Sequence, residues 1–94
     1  MNDATQDLPM SLTLADILAK IKRADYVVMS DQRTTICQLT LENGYTIIGK
    51  SACVDARKFN KAMGEQYAYN DAVDKVWELE GYLLKQRRFE AGLN

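Results

Sequence analysis

Between Leu14 and Ala24 the apolar residues Leu14, Ile17, Leu18, Ile21 and Ala24 recur at spacings of three and four, which predicts one face of an amphipathic helix. Thr13 followed by Asp16 resembles a capping box with Asp replacing the usual Glu, so this helix is expected from Leu14 to about Arg23. Asp16 and Lys20 stand four apart on its polar side, and Lys20, Lys22 and Arg23 fall where the helix dipole favours cations. Pro9 argues against an earlier helix, leaving residues 1–12 as a flexible arm and residues 13–94 as one domain.

The pattern then turns strand-like. Tyr26 to Ser30 has β-branched and aromatic content, Asp31-Gln32-Arg33 makes a polar turn, and Thr34 to Leu41 is a second strand. Asn43-Gly44 marks a hairpin. A two-residue loop would oppose Glu42 to Tyr45 and mix polar with apolar residues on both faces. A three-residue loop, Glu42-Asn43-Gly44 with Gly44 left-handed, pairs Leu41 with Tyr45 and Leu39 with Ile47. Cys37, Leu39, Leu41, Tyr45 and Ile47 then share one face, and Gln38, Thr40, Thr46 and Lys50 the other, with Ile36 and Ile48 as exceptions. Because a slip of one residue inverts every side chain, the cleaner partition selects the three-residue loop.

Asp55 is placed to cap a long helix from about Ala56 to Val76. Its apolar stripe is Phe59, Ala62, Met63, Tyr67, Val73 and Val76 or Trp77, widened by Tyr69 and Ala72, a breadth that calls for two packing partners. Around Trp77-Glu78-Leu79-Glu80 the helix is expected to kink or restart. A short last helix then turns Leu79, Tyr82, Leu83 and Phe89 inward and ends before Gly92. The fold class is α+β: a helix, a three-stranded antiparallel sheet, a long helix and a short C-terminal helix.

Composition narrows the chemistry. The 94 residues are 47% hydrophobic and 27% charged, with a net charge of −1, and the pI of about 5.3 argues against a basic nucleic-acid surface. The sequence contains no histidine, which removes the commonest general base and metal ligand. Two cysteines do not make a disulfide scaffold. The register puts Cys37 opposite Gly49 and Cys53 four residues further on, too far apart to bond. No basic, apolar leader stands at the start, and no apolar run approaches the roughly 20 residues that span a bilayer. A cytosolic protein with reduced thiols is expected.

No phosphate-binding glycine loop, paired-cysteine metal site or nucleophile elbow is present. No catalytic residue, cofactor or metal is therefore expected. Asp55 reads as a helix cap. Cys53 lies before a helix start, yet lacks a histidine to activate it. The basic run Lys85-Gln86-Arg87-Arg88 is explained by the helix dipole; as a functional feature it would contact nucleic acid or an anionic ligand together with Tyr82. The order helix, three strands, helix is that of the double-stranded-RNA-binding domain, but Ala56-Arg57-Lys58-Phe59-Asn60-Lys61 stands where that domain has a lysine-rich run.

Several features together resemble a family of small proteins from tailed bacteriophages. They are Leu39-Thr40-Leu41, Asn43-Gly44, Gly49 and Ser51-Ala52-Cys53-Val54-Asp55, followed by Phe59, Gly64, Ala68, Ala72, Lys75, Trp77 and Leu79-Glu80-Gly81-Tyr82-Leu83-Leu84. The resemblance covers roughly residues 13 to 88. It departs at Ala56 and Glu78, where many members are expected to have proline, an optional residue at a helix start. It brings no established activity, so no catalytic residue carries over. The resulting expectation is a non-enzymatic phage accessory protein in the host cytoplasm. It binds or sequesters a host protein or a small ligand, and the alternative is a nucleic-acid-binding module using the C-terminal basic cluster. The large apolar groups of residues 56–84 further predict a homo-oligomer. Trp77, Tyr82, Tyr67, Lys85 and Arg88 are the expected interface or ligand contacts.

Overall fold

The computed structural model describes residues 8–93. Its elements are α1 (Leu14–Ala19), β1 (Ile21–Val28), β2 (Thr34–Leu41), β3 (Thr46–Ala52), a single 3-10 turn (Ala56–Lys58) and α2 (Lys61–Glu90). The three strands form an antiparallel sheet in the order β1-β2-β3, and α2 lies across β2 and β3. The α+β class and the three-stranded sheet are as the sequence implied.

The capping box forms as read: Thr13 Oγ1 accepts from the Asp16 amide at 3.2 Å and Asp16 Oδ2 accepts from the Thr13 amide at 2.8 Å. The Thr13 amide bonded to it, and the Thr13 hydroxyl beside it, hold the Asp16 carboxyl below its ordinary pKa. The helix, however, ends at Ala19, not Arg23. Ile21 pairs with Leu41 and Ala24 with Leu39, and the register shift at Lys22 places both apolar residues toward α2 although they stand three apart. A spacing of three thus fits either a helix or a bulged strand, and pairing with β2 decides for the strand. Residues 1–7 of the expected arm lie outside the described residues. Leu12 packs against the core, and the carbonyls of Leu8 and Pro9 accept from Arg88 Nη1 at 3.3 and 3.0 Å.

The hairpin adopts the three-residue loop. Leu39 pairs with Ile47 and Cys37 with Gly49. The Leu41 amide donates to the Tyr45 carbonyl at 2.8 Å, and Gly44 sits at φ +90°, a conformation that favours glycine. Cys37, Leu39, Leu41 and Ile47 are buried beneath α2. Both cysteines are free. Asp31 organises the β1–β2 turn, accepting from the amides of Arg33 and Thr34 and from Thr34 Oγ1 at 2.9, 2.9 and 2.7 Å. The Thr34 hydroxyl and these amides lower the Asp31 carboxyl pKa to about 2.

Two helix expectations are corrected. Asp55 caps only the 3-10 turn, accepting from the Arg57 amide at 2.9 Å and from its guanidinium at 3.1 Å. Phe59 and Asn60 are extended, and Asn60 Oδ1 caps α2 by accepting from the Met63 amide at 3.1 Å. From Lys61 the helix is continuous to Glu90, with no kink at Trp77–Glu80 and no separate short helix. The segment holds no proline, and its Leu, Glu, Lys, Gln and Arg residues favour helix.

The buried stripe also differs from the expected one. Ala68, Ala72, Val73 and Val76 are buried, whereas Met63 and Tyr67 are exposed and Phe59, Tyr69 and Trp77 are half-buried. A Cβ at Gly49 would overlap the main chain of α2 at Ala68 and Ala72, and one at Gly64 would lie 2.6 Å from Thr35 Oγ1. The helix therefore rests on the sheet backbone through its smallest residues. Its largest side chains stand on the flanks of that contact.

Candidate functional site

The sheet-facing stripe Ala68, Ala72, Val76 continues at the same spacing through Leu79 and Leu83. A helix of 30 residues is about 45 Å long, whereas strands of eight residues extend about 26 Å. α2 runs antiparallel to β3, with Gly64 near Ser51 and Leu79 near Tyr45. Its last turns consequently overrun the hairpin tip. There Tyr45, Leu79, Tyr82 and Leu83 are 57, 43, 71 and 38% exposed. Tyr45, Leu79 and Leu83 were expected on inward faces, and Tyr82 both on the inward face and as an interface contact; the sheet ends before it can cover them.

Together they form the floor of an open concavity of about 580 Å³ rimmed by Lys20, Glu42, Asn43, Glu80 and Arg87. Lys20 Nζ lies 3.3 Å from Glu42 Oε1 and 3.8 Å from Glu80 Oε1, so two carboxylates neutralise this rim cation. The floor is apolar and the rim charged.

The expected contact residues do not converge. Tyr82 lies in the concavity. Trp77 is half-buried against the core, about 140° around the helix from Tyr82. Tyr67 lines a different cleft, about 22 Å along the axis from Tyr82. Lys85 is exposed outside the concavity, whereas Arg88 is engaged with the N-terminal segment through Leu8 and Pro9. The basic run is thus divided between solvent and structure. Tyr45 and Leu79, which complete the concavity, are signalled in the sequence only by apolarity; their exposure follows from the helix outrunning the sheet.

The cleft at Tyr67 has a volume of about 140 Å³ and is lined by Arg33, Cys53, Lys58, Phe59, Asn60 and Gly64, among others. Its polar groups are largely occupied by local structure. Cys53 Sγ donates to the Asp55 carbonyl at 3.2 Å, Arg33 Nη1 to the Val54 carbonyl at 3.3 Å, and Asn60 caps α2. Among the described residues no group of three His, Cys, Asp or Glu side chains could hold a metal ion, and no helix is long and apolar enough to cross a membrane.

Compared with known proteins, residues 12–88 match the profile of the phage protein (N4 Gp49/phage Sf6 gene 66) family. No curated protein and no solved structure matches the chain.

Proposed function

The chain belongs to that phage protein family, and on this premise we propose that it is a non-enzymatic accessory protein that binds a host protein in the host cytoplasm. The carrying observation is the exposed apolar floor of Tyr45, Leu79, Tyr82 and Leu83 at the end of α2. Clustered large apolar groups on a soluble surface are a recurrent mark of interaction sites, and aromatic residues dominate their energetics. The open shape suits a protein surface better than an enclosed small ligand.

Two further observations support binding over catalysis. The chain has no histidine. The carboxylates of Asp16, Asp31 and Asp55 are committed to caps and turns, and the Cys53 thiol to a main-chain carbonyl. The nucleic-acid alternative loses support from Arg88, which is directed to the carbonyls of Leu8 and Pro9.

A photo-crosslinking amino acid at position 82, compared with one at position 74 on the exposed back of α2, tests the proposal in infected cells. A discrete adduct from position 82 that disappears in Leu83→Asp is expected. Absence of adducts, or equal labelling from both positions, overturns it.

A further inference from the structure

The two edges of the sheet are treated differently. In an antiparallel ladder successive residues turn their N–H and C=O groups alternately toward one neighbour and the other. The Met29 amide donates to Thr34 and the Cys53 amide to Arg33, both at 2.8 Å, which fixes that alternation in each hairpin. Ile48 and Lys50 on β3, and Ala24, Tyr26 and Val28 on β1, therefore turn their main-chain groups to the outside.

On β3 those groups are occupied. The Lys50 amide donates to Asp71 Oδ2 at 2.9 Å, and Lys75 Nζ donates to the Ile48 carbonyl at 2.6 Å. Asp71 and Lys75, one turn apart on α2, are themselves paired at 3.8 Å. Side chains of α2 thus close this edge against another strand. On β1, among the described residues, no loop, helix or side chain takes the outward main-chain groups of Ala24, Tyr26 and Val28. α2 leaves this strand largely uncovered, with Tyr26 and Val27 exposed.

We propose that β1 is the seam of a homodimer, in which a second copy pairs antiparallel along the same edge and two three-stranded sheets become one. The charges of the strand select this occupant. About a two-fold axis residue i faces residue j with a constant sum, and an even sum keeps like faces together. Centred on Arg23 or on Asp25, the pairing opposes like charges. Centred on Tyr26, it opposes Arg23 and Asp25 to apolar residues. Centred on Ala24, it sets Arg23 against Asp25 of the second copy, twice. In that register the outward groups of Ala24 exchange hydrogen bonds across the axis. Arg23 Nε already lies 2.8 Å from Asp25 Oδ2 within one chain, so Arg23 and Asp25 of the two copies form four charges of alternating sign at the centre of the seam, with Lys22 of each copy opposite Tyr26 of the other. The strand is complementary to itself.

The test is sedimentation equilibrium of the full chain over a concentration series, with circular dichroism as the folding control. A mass of about twice the 10.7 kDa of the chain is expected. Arg23→Asp and Asp25→Arg should each weaken the dimer about tenfold, and the double exchange should restore it, because directly opposed like charges become opposite again. Ala24→Pro should abolish dimerisation without removing a bond to β2, since the lost amide points outward. If that variant does not fold, the charge exchange decides alone. Tyr82→Ser should leave the dimer intact, which separates this seam from the binding surface proposed above. A constant mass of 10.7 kDa for the unaltered chain, single charge variants that dimerise normally, a double exchange that fails to restore pairing, or dissociation by Tyr82→Ser would each overturn it.

Discussion

A methyl group at Gly49 meets the α2 backbone at Ala68 and Ala72, where nothing can rotate away; one at Gly81 meets nothing within 4 Å. Gly49→Ala is therefore expected to destabilise by about 3 kcal/mol, and Gly81→Ala to stabilise by about 0.5–1 kcal/mol through helix propensity. Urea denaturation of the two variants checks both signs. Thr35 makes a second residue-scale case. It is fully buried under Gly64, and its Oγ1 has no hydrogen-bond partner among the described residues. Thr35→Val keeps the branched shape and removes the unpaired hydroxyl, so a gain of about 1 kcal/mol is expected. A loss in the same denaturation experiment would contradict this account. The alternation of β2 makes Thr35 legible as an inward residue; the missing partner is a property of the helix surface above it.

At the scale of elements, the start of α2 turns on which residue accepts the first free amides. Asn60 caps a helix of 30 residues and Asp55 a turn of three. Asn60→Ala is expected to cost about 1 kcal/mol and Asp55→Ala distinctly less, measured as shifts in the denaturation midpoint. The β1–β2 turn gives a pH dependence. Its Asp31 carboxyl lies at about 2, against an ordinary 3.8. Because the folded value is depressed, the stabilisation is complete above about pH 4 and is lost as pH falls through 2. Asp31→Asn should therefore be less stable than the unaltered protein at pH 6, with the difference vanishing below about pH 2. A difference independent of pH would show that the carboxylate does not carry the turn. The two expected C-terminal helices are one because nothing between Val76 and Gly81 interrupts the backbone ladder.

The whole molecule is long: 59 × 22 × 18 Å with a radius of gyration of 17.0 Å, against about 12 Å for a compact chain of this length. The excess reflects α2 outrunning a short sheet. Tyr82 stands on the overrun and Leu39 in the core, fully buried. Leu39→Ala is expected to cost about 3 kcal/mol, whereas Tyr82→Ser should change stability by less than about 0.5 kcal/mol. A large loss for Tyr82→Ser in thermal or urea unfolding would mean that the fold, and not a partner, uses this residue.

By itself the sequence determined the features governed by local geometry. The Thr13–Asp16 box, the hairpin register through Gly44 and the alternation of β2 each follow from backbone conformations and side-chain periods that need no distant contact. The tertiary structure decided what competition between elements settles. Ile21 and Ala24 joined a strand because β2 offered a ladder to pair with, and a bulge reconciled their spacing. Ala68 and Ala72 became core, and Met63 and Tyr67 surface, because the helix approaches the sheet at Gly49 too closely for large side chains. The concavity arises where the apolar stripe of α2 outlasts the sheet beneath it. Hydrophobicity marks which residues benefit from burial; only the relative lengths and close approach of the packed elements determine which are covered.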